Sequence, residues 1–96
     1  MLMDLNVLRE VYDIIEDRKI HPKSKSYVTT LLLKGAPQII SKIEEESKEL
    51  LESLDTEQRS DILHEAVDLI FHTFILLAYK NITLNEILHE FRRRRK

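Results

Sequence analysis

Residues 57–80 read EQRSDILHEAVDLIFHTFILLAYK, and their pattern decides the fold. Ile62, Leu63, Ala66, Val67, Leu69, Ile70, Phe71, Phe74 and Leu77 cover most sides of a helical wheel. The polar exceptions, Asp61, Glu65, Asp68 and His72, fall in one stripe, because residues three and four apart share a helix face. A helix that is apolar nearly all round is expected to be buried. Carboxylates on such a helix need a partner, since a buried charge is costly unless it is compensated. So short a chain offers this helix few neighbours. Leaving its apolar surface in water would forgo roughly 25 cal/mol per Å². A second copy, paired about a two-fold axis, is therefore expected to complete the bundle.

The segment before it carries the matching half of the pattern. Pro37 fits the first turn of a helix that runs to about Leu54. Ile39, Ile43, Leu50 and Leu54 form its apolar stripe. Lys42, Glu45, Glu46 and Glu49 lie together within about 100° of arc on the adjoining face. The acidic face thus borders the core, where a merely solvated face would oppose it. Glu46 and Glu49 point one way from this helix, and Glu65 and Asp68 point one way from the next. If the two faces meet, four carboxylates converge, and they repel one another unless a cation sits among them. Oxygen ligands of this hardness select Mg²⁺, Mn²⁺ or Ca²⁺.

The remaining elements are also helical in pattern. Met1 to Arg18 reads as a first helix, with Leu5, Leu8, Val11, Tyr12 and Ile15 at helical spacing. A polar loop, Lys19 to Lys25, follows. Ser24 or Ser26 is placed to cap a short helix through Leu33, which Gly35 stops. Asp55 or Thr56 is expected to cap the helix of residues 57–80. Thr83 and Glu86 have the spacing of a capping box that starts a last helix, ending in the arginine run. No stretch alternates with period two for long. The fold expected is all-α: one domain over residues 1–96, four or five helices, and a helical bundle completed by homodimerisation.

Composition narrows the function. The chain has 96 residues, one glycine, two prolines and no cysteine. The absence of cysteine excludes disulfides, thiolate zinc sites and cysteine nucleophiles, and it fits a cytoplasmic protein. No basic-then-apolar signal opens the chain. The longest apolar run, Phe74 to Tyr79, is far below the roughly 20 residues of a bilayer span. Arg92 to Lys96 bring five positive charges to a net charge of −2, so the rest of the chain stands at −7. An acidic body with a basic tail is an odd nucleic-acid binder. It suits a metal-binding body that handles an anionic small molecule, with neither nucleic acid nor membrane as partner. The tail itself reads as a helix end whose cations suit the C-terminal dipole.

A family likeness rests on Ser26-Tyr27-Val28-Thr29-Thr30-Leu31-Leu32, Gly35, Ile39, Lys42, Glu45-Glu46-x-x-Glu49 and Glu65-Ala66-Val67-Asp68-Leu69-Ile70-Phe71-His72. This pattern resembles phosphoribosyl-ATP pyrophosphohydrolase of histidine biosynthesis. It also resembles, more broadly, the all-α nucleoside triphosphate pyrophosphohydrolases. The resemblance implies Mg²⁺-dependent hydrolysis, with Mn²⁺ as a substitute, of a nucleotide to phosphoribosyl-AMP and pyrophosphate. It puts Glu46, Glu49, Glu65 and Asp68 at the metal and Glu45 beside them. Glu45 or Glu46 would accept the proton of the attacking water, and Lys42 would face the phosphates. Tyr27 and Lys25 are further substrate-side candidates. His72, in the same stripe as Glu65 and Asp68, reads as a hydrogen-bonded histidine behind the metal ligands or in the core and not as a ligand. Glu44 and His64 depart from the pattern without removing a motif residue. No cyclohydrolase motif accompanies it, which implies the stand-alone form. Two rivals remain: a sister enzyme acting on non-standard nucleotides, and a non-catalytic helical interaction module.

Overall fold

The computed structural model describes residues 4–95. Five helices make up its regular structure: α1 (Asn6–Ile20), α2 (Tyr27–Lys34), α3 (Ala36–Ser53), α4 (Arg59–Tyr79) and α5 (Leu84–Arg94). No strand occurs among the described residues, so the all-α class holds. The expected helical start at Met1 to Met3 lies outside the described residues, as does Lys96.

The local signals acted largely as their chemistry dictates. The Ser26 hydroxyl accepts from the Thr29 amide at 3.1 Å and caps α2. Gly35 closes α2 and opens α3 with φ +84°, a left-handed conformation that suits glycine. A Cβ there would lie 3.3 Å from the Tyr79 hydroxyl. Pro37 sits in the first turn of α3. Thr83 and Glu86 form the complete capping box of α5.

The start of α4 differs from expectation. Neither Asp55 nor Thr56 caps it. Gln58 is the N-cap, without a side-chain cap bond. The Thr56 hydroxyl instead donates to the Ser53 carbonyl at 2.8 Å and accepts from the Gln58 amide at 3.1 Å. Glu57 takes φ +57°. Two residues are thereby spent on a tight turn before the helix begins.

α3 and α4 form a helical hairpin, and α1 and α2 pack across it. The core gathers Tyr12, Ile15, Val28, Leu31, Ile39, Ile75, Ala78 and Leu84. Tyr12 packs edge-to-face on Phe74, with ring centroids 5.3 Å apart, and donates to the Ile82 carbonyl at 2.5 Å. Lys19 donates to the Ala78 carbonyl at 2.8 Å and so closes the C-terminal end of α4.

Burial corrects the helix wheels. Leu5 and Leu8 of the first segment are exposed, whereas Tyr12 and Ile15 are fully buried. Leu54 is exposed too. Within one chain α4 is far from wholly buried: only His72, Ile75 and Ala78 are. Leu63, Val67 and Ile70 are 65%, 54% and 50% exposed. At about 100° per residue these three share a face opposite the Asp61–Glu65–Asp68–His72 stripe. The first half of α4 is thus inverted, with its charges inward on α3 and its aliphatics outward. By length and composition α4 is apolar enough to cross a bilayer. Its mid-helix carboxylates, faced by others on α3, are the kind of charge that is expensive there.

Candidate active site

The inward faces of α3 and α4 bring the acidic residues together. Glu45, Glu46 and Glu49 each present an oxygen within 4.8 Å of the others, and on α4 a His64 ring nitrogen and oxygens of Glu65 and Asp68 lie equally close to one another. Glu46 is the buried member, only 4% exposed. Its Oε2 has no hydrogen-bond partner, and neither has the buried Oε2 of Glu65. Burial pushes the Glu46 carboxyl above the usual carboxylate range, and Asp68 and Glu49 push it further. Burial likewise raises Glu65, together with the facing carboxylates of Glu49 and Glu46. Each carboxyl also feels charge from the other helix, Glu46 that of Asp68 and Glu65 that of Glu49 and Glu46, so the two clusters are electrostatically coupled.

Such an arrangement asks for a positive centre. A buried carboxylate oxygen without a donor costs free energy. The carboxylates of the two groups supply only hard oxygen donors, which fit Mg²⁺ or Mn²⁺ better than a softer metal. His64 stands 3.4 Å from the Asp68 carboxylate but is largely exposed. The orphaned oxygens of Glu46 and Glu65 therefore fit a hard divalent cation.

One cation is built in. Lys42 Nζ lies 3.1 Å from Glu45 and 3.5 Å from Glu46. Its hydrogen bond to Glu45, chiefly, raises its pKa and holds the ammonium charged. Glu45 is exposed at the rim. The Tyr27 hydroxyl lies 2.7 Å from His72 Nε2, and His72 Nδ1 lies 2.8 Å from the Asp68 carbonyl. Burial raises the Tyr27 pKa, and the charges it feels are those of Lys42, Glu46, Glu45 and Asp68. Tyr27 therefore stands on the wall of the cluster.

Lys25 is not part of this group. It is exposed and lines a surface hollow with Ile14, Arg18, Lys23 and Ser26. Conversely, Glu52 extends the site. With Glu49, Ser53, Thr56, Asp61 and Glu65 it lines an open hollow of about 340 Å³. Glu52 follows Glu49 by three residues, so the helical spacing that found Glu49 also points to it. The Tyr27–His72 bond joins residues 45 apart in sequence and leaves no local signal.

Comparison with known proteins bears on this geometry. The family model described as phosphoribosyl-ATP pyrophosphohydrolase matches residues 8–95, which includes both acidic motifs. The chain is 45% identical over 93 residues to a phosphoribosyl-ATP pyrophosphatase of Methanocella arvoryzae, covering 95% of this chain and 98% of the relative. It is 42% identical over 94 residues to a phosphoribosyl-ATP pyrophosphatase of Methanococcoides burtonii, covering 96% and 95%. It is also 39% identical over 92 residues to the histidine biosynthesis bifunctional protein HisIE of Caldanaerobacter subterraneus subsp. tengcongensis, of which it spans 45%.

Proposed function

Because the chain belongs to the phosphoribosyl-ATP pyrophosphohydrolase family, we propose that it hydrolyses phosphoribosyl-ATP to phosphoribosyl-AMP and pyrophosphate in histidine biosynthesis. The observation that carries this reading is the family match over residues 8–95, which spans every carboxylate of the site.

Glu46, Glu49, Glu65 and Asp68 would hold a divalent cation, Mg²⁺ or Mn²⁺. Such an ion would supply Lewis-acid stabilisation of phosphate charge and would ease deprotonation of water. The chain's own residues supply the rest. Lys42, kept charged by Glu45, offers an ammonium to the phosphates and steadies the charge that grows on departing pyrophosphate. One carboxylate, Glu45 or Glu46, would accept the proton of the attacking water. Glu45 stands exposed at the rim, 3.1 Å from Lys42, and Glu46 stands buried beside it. Tyr27 and His72 form the wall next to α2. Lys25 has a supporting part at most, since its hollow is separate from the carboxylates.

The exposed face of Leu63, Val67 and Ile70 supports a homodimer, in which a second copy covers what one chain leaves in water. The substrate is a multiply charged nucleotide made and used inside the cell, so the cytoplasm is the compartment proposed.

The test is an assay of pyrophosphate release from phosphoribosyl-ATP beside a panel of standard and non-standard nucleoside triphosphates. The reading expects phosphoribosyl-ATP to have by far the highest kcat/KM. A preference for another triphosphate would replace it with a sister activity, and no turnover of any would leave a binding module.

A further inference from the structure

His72 is buried and bonded at both ring nitrogens. The partner of Nδ1, at 2.8 Å, is the Asp68 carbonyl oxygen, which can only accept. Nδ1 therefore carries the proton, and in the neutral ring Nε2 offers a lone pair. For that neutral ring the Tyr27 hydroxyl, 2.7 Å from Nε2, is the donor. The ring is held in place by edge-to-face contacts with Tyr27 and Phe71, each with centroids 5.7 Å apart. Tyr27 is the first residue of α2, whose N-cap is Ser26, so its own backbone is fixed as well. The phenolic proton is committed to the imidazole. Only the lone pairs of the Tyr27 oxygen are left for the side that faces Lys42 and the carboxylates.

We propose that His72 is a positioning residue that commits the Tyr27 proton, so that Tyr27 reads a hydrogen-bond donor of the bound nucleotide, a sugar hydroxyl or a base N–H, and not a phosphate oxygen. This rests on the reading of the site as a nucleotide site. Phosphate oxygens are acceptors, and two acceptors set face to face repel. The nucleoside end of the substrate therefore lies toward α2 and Tyr27. The polyphosphate lies along Lys42 and the α3–α4 carboxylates. Substrate orientation is set by the direction of one hydrogen bond whose far end is the backbone of Asp68.

Two measurements decide this. Nitrogen-15 NMR of the wild-type chain should give His72 with a protonated Nδ1 and an unprotonated Nε2. The opposite tautomer, or a ring protonated at both nitrogens, would overturn the proposal whether or not any variant folds. In calorimetric titrations with Mg²⁺ present, Tyr27→Phe should weaken AMP binding about tenfold and change magnesium pyrophosphate binding less than twofold. Equal loss for both probes, or loss for pyrophosphate alone, contradicts it. With 2′,3′-dideoxy-AMP the Tyr27→Phe effect should vanish if the sugar is the donor and persist if the base is. His72→Gln places an amide oxygen where Tyr27 can still donate, and should keep the Tyr27-dependent AMP affinity. His72→Asn keeps only a donor toward the Asp68 carbonyl, and should lose that affinity. Equal loss in both variants would mean a structural role alone. Failure of the wild type to hydrolyse phosphoribosyl-ATP would remove the proposed substrate, whereas the tautomer and the AMP titrations test the Tyr27 arrangement by themselves.

Discussion

The two halves of α4 are built on opposite principles. From Phe71 to Tyr79 the helix is ordinary: Ile75 and Ala78 point into a core shared with Tyr12, Ile15 and Ile39. From Arg59 to Ile70 it is inverted, with Glu65 and Asp68 set against α3 and Leu63, Val67 and Ile70 turned outward. The first arrangement lowers the free energy of one chain by itself. The second raises it twice, through crowded carboxylates and through wetted aliphatics. Its cost becomes intelligible if a cation meets the charges and a second chain meets the aliphatics. Fold and function thus occupy successive stretches of a single helix, with His72 at the junction.

The largest expected effect is on the ordinary half. Ile75→Ala should lower stability by about 3–4 kcal/mol in denaturant titration, because a fully buried side chain leaves a cavity behind. Val67→Ala, the same kind of truncation on the inverted half, should cost under about 1 kcal/mol at concentrations where the chain is monomeric. Equal costs would erase the distinction between the halves.

Next come the carboxylates. Glu49→Gln and Asp68→Asn should each lower kcat/KM roughly 100-fold or more, since each removes a charge that the proposed cation would need. Circular dichroism should stay that of the wild type. Turnover near the wild-type rate at saturating Mg²⁺ would remove that residue from the metal set.

The outward face makes a third test. Val67→Asp should weaken the proposed dimer by roughly 100-fold, because a buried unpaired charge at an interface is costly. Sedimentation equilibrium at low micromolar concentration reads this directly. A wild-type chain that stays a folded, active species near 11.4 kDa would rule the dimer out.

The smallest effect is in pH dependence. Glu46 and Glu65 have carboxyls raised above 4.5 in the folded chain. Between 4.5 and the raised values the folded state holds more protons than the unfolded one. For these groups stability therefore falls as pH rises through that window, and the penalty is complete above it. The metal-free protein should gain thermal stability as pH is lowered from neutrality toward 5. Glu46→Gln should flatten that slope and raise the neutral-pH melting temperature by a few degrees. Asp17 and Glu90, whose carboxyls are lowered by His21 and by Arg93 and Arg94, act in the opposite sense at more acidic pH. A Glu46→Gln chain less stable than wild type without metal would contradict the account of crowding.

Much of this was legible in the sequence where the physics is local. Ser26, Gly35, Pro37 and the Thr83–Glu86 box act within one helical turn, and the helices end where they dictate. The carboxylate spacing was legible for the same reason. The start of α4 was not, because Thr56 had two competing bonds within reach and its hydroxyl serves the turn. The wheel of α4 correctly separated a charged stripe from an apolar one. It could not tell that the charged stripe faces inward, since periodicity marks faces without saying which neighbour each one meets. Lys25 illustrates the same limit: it lies two residues before Tyr27, yet the loop turns it to another surface. The contact between Tyr27 and His72 depends on how α2 crosses α4, a tertiary fact that no local pattern encodes.

The central claim is that the carboxylates of α3 and α4 act through a divalent cation. The most direct measurement follows pyrophosphate release from phosphoribosyl-ATP by the wild-type chain, first in excess EDTA and then with Mg²⁺ or Mn²⁺ restored. The account predicts that turnover is lost in chelator and returns with either ion. Full activity in excess chelator would contradict it.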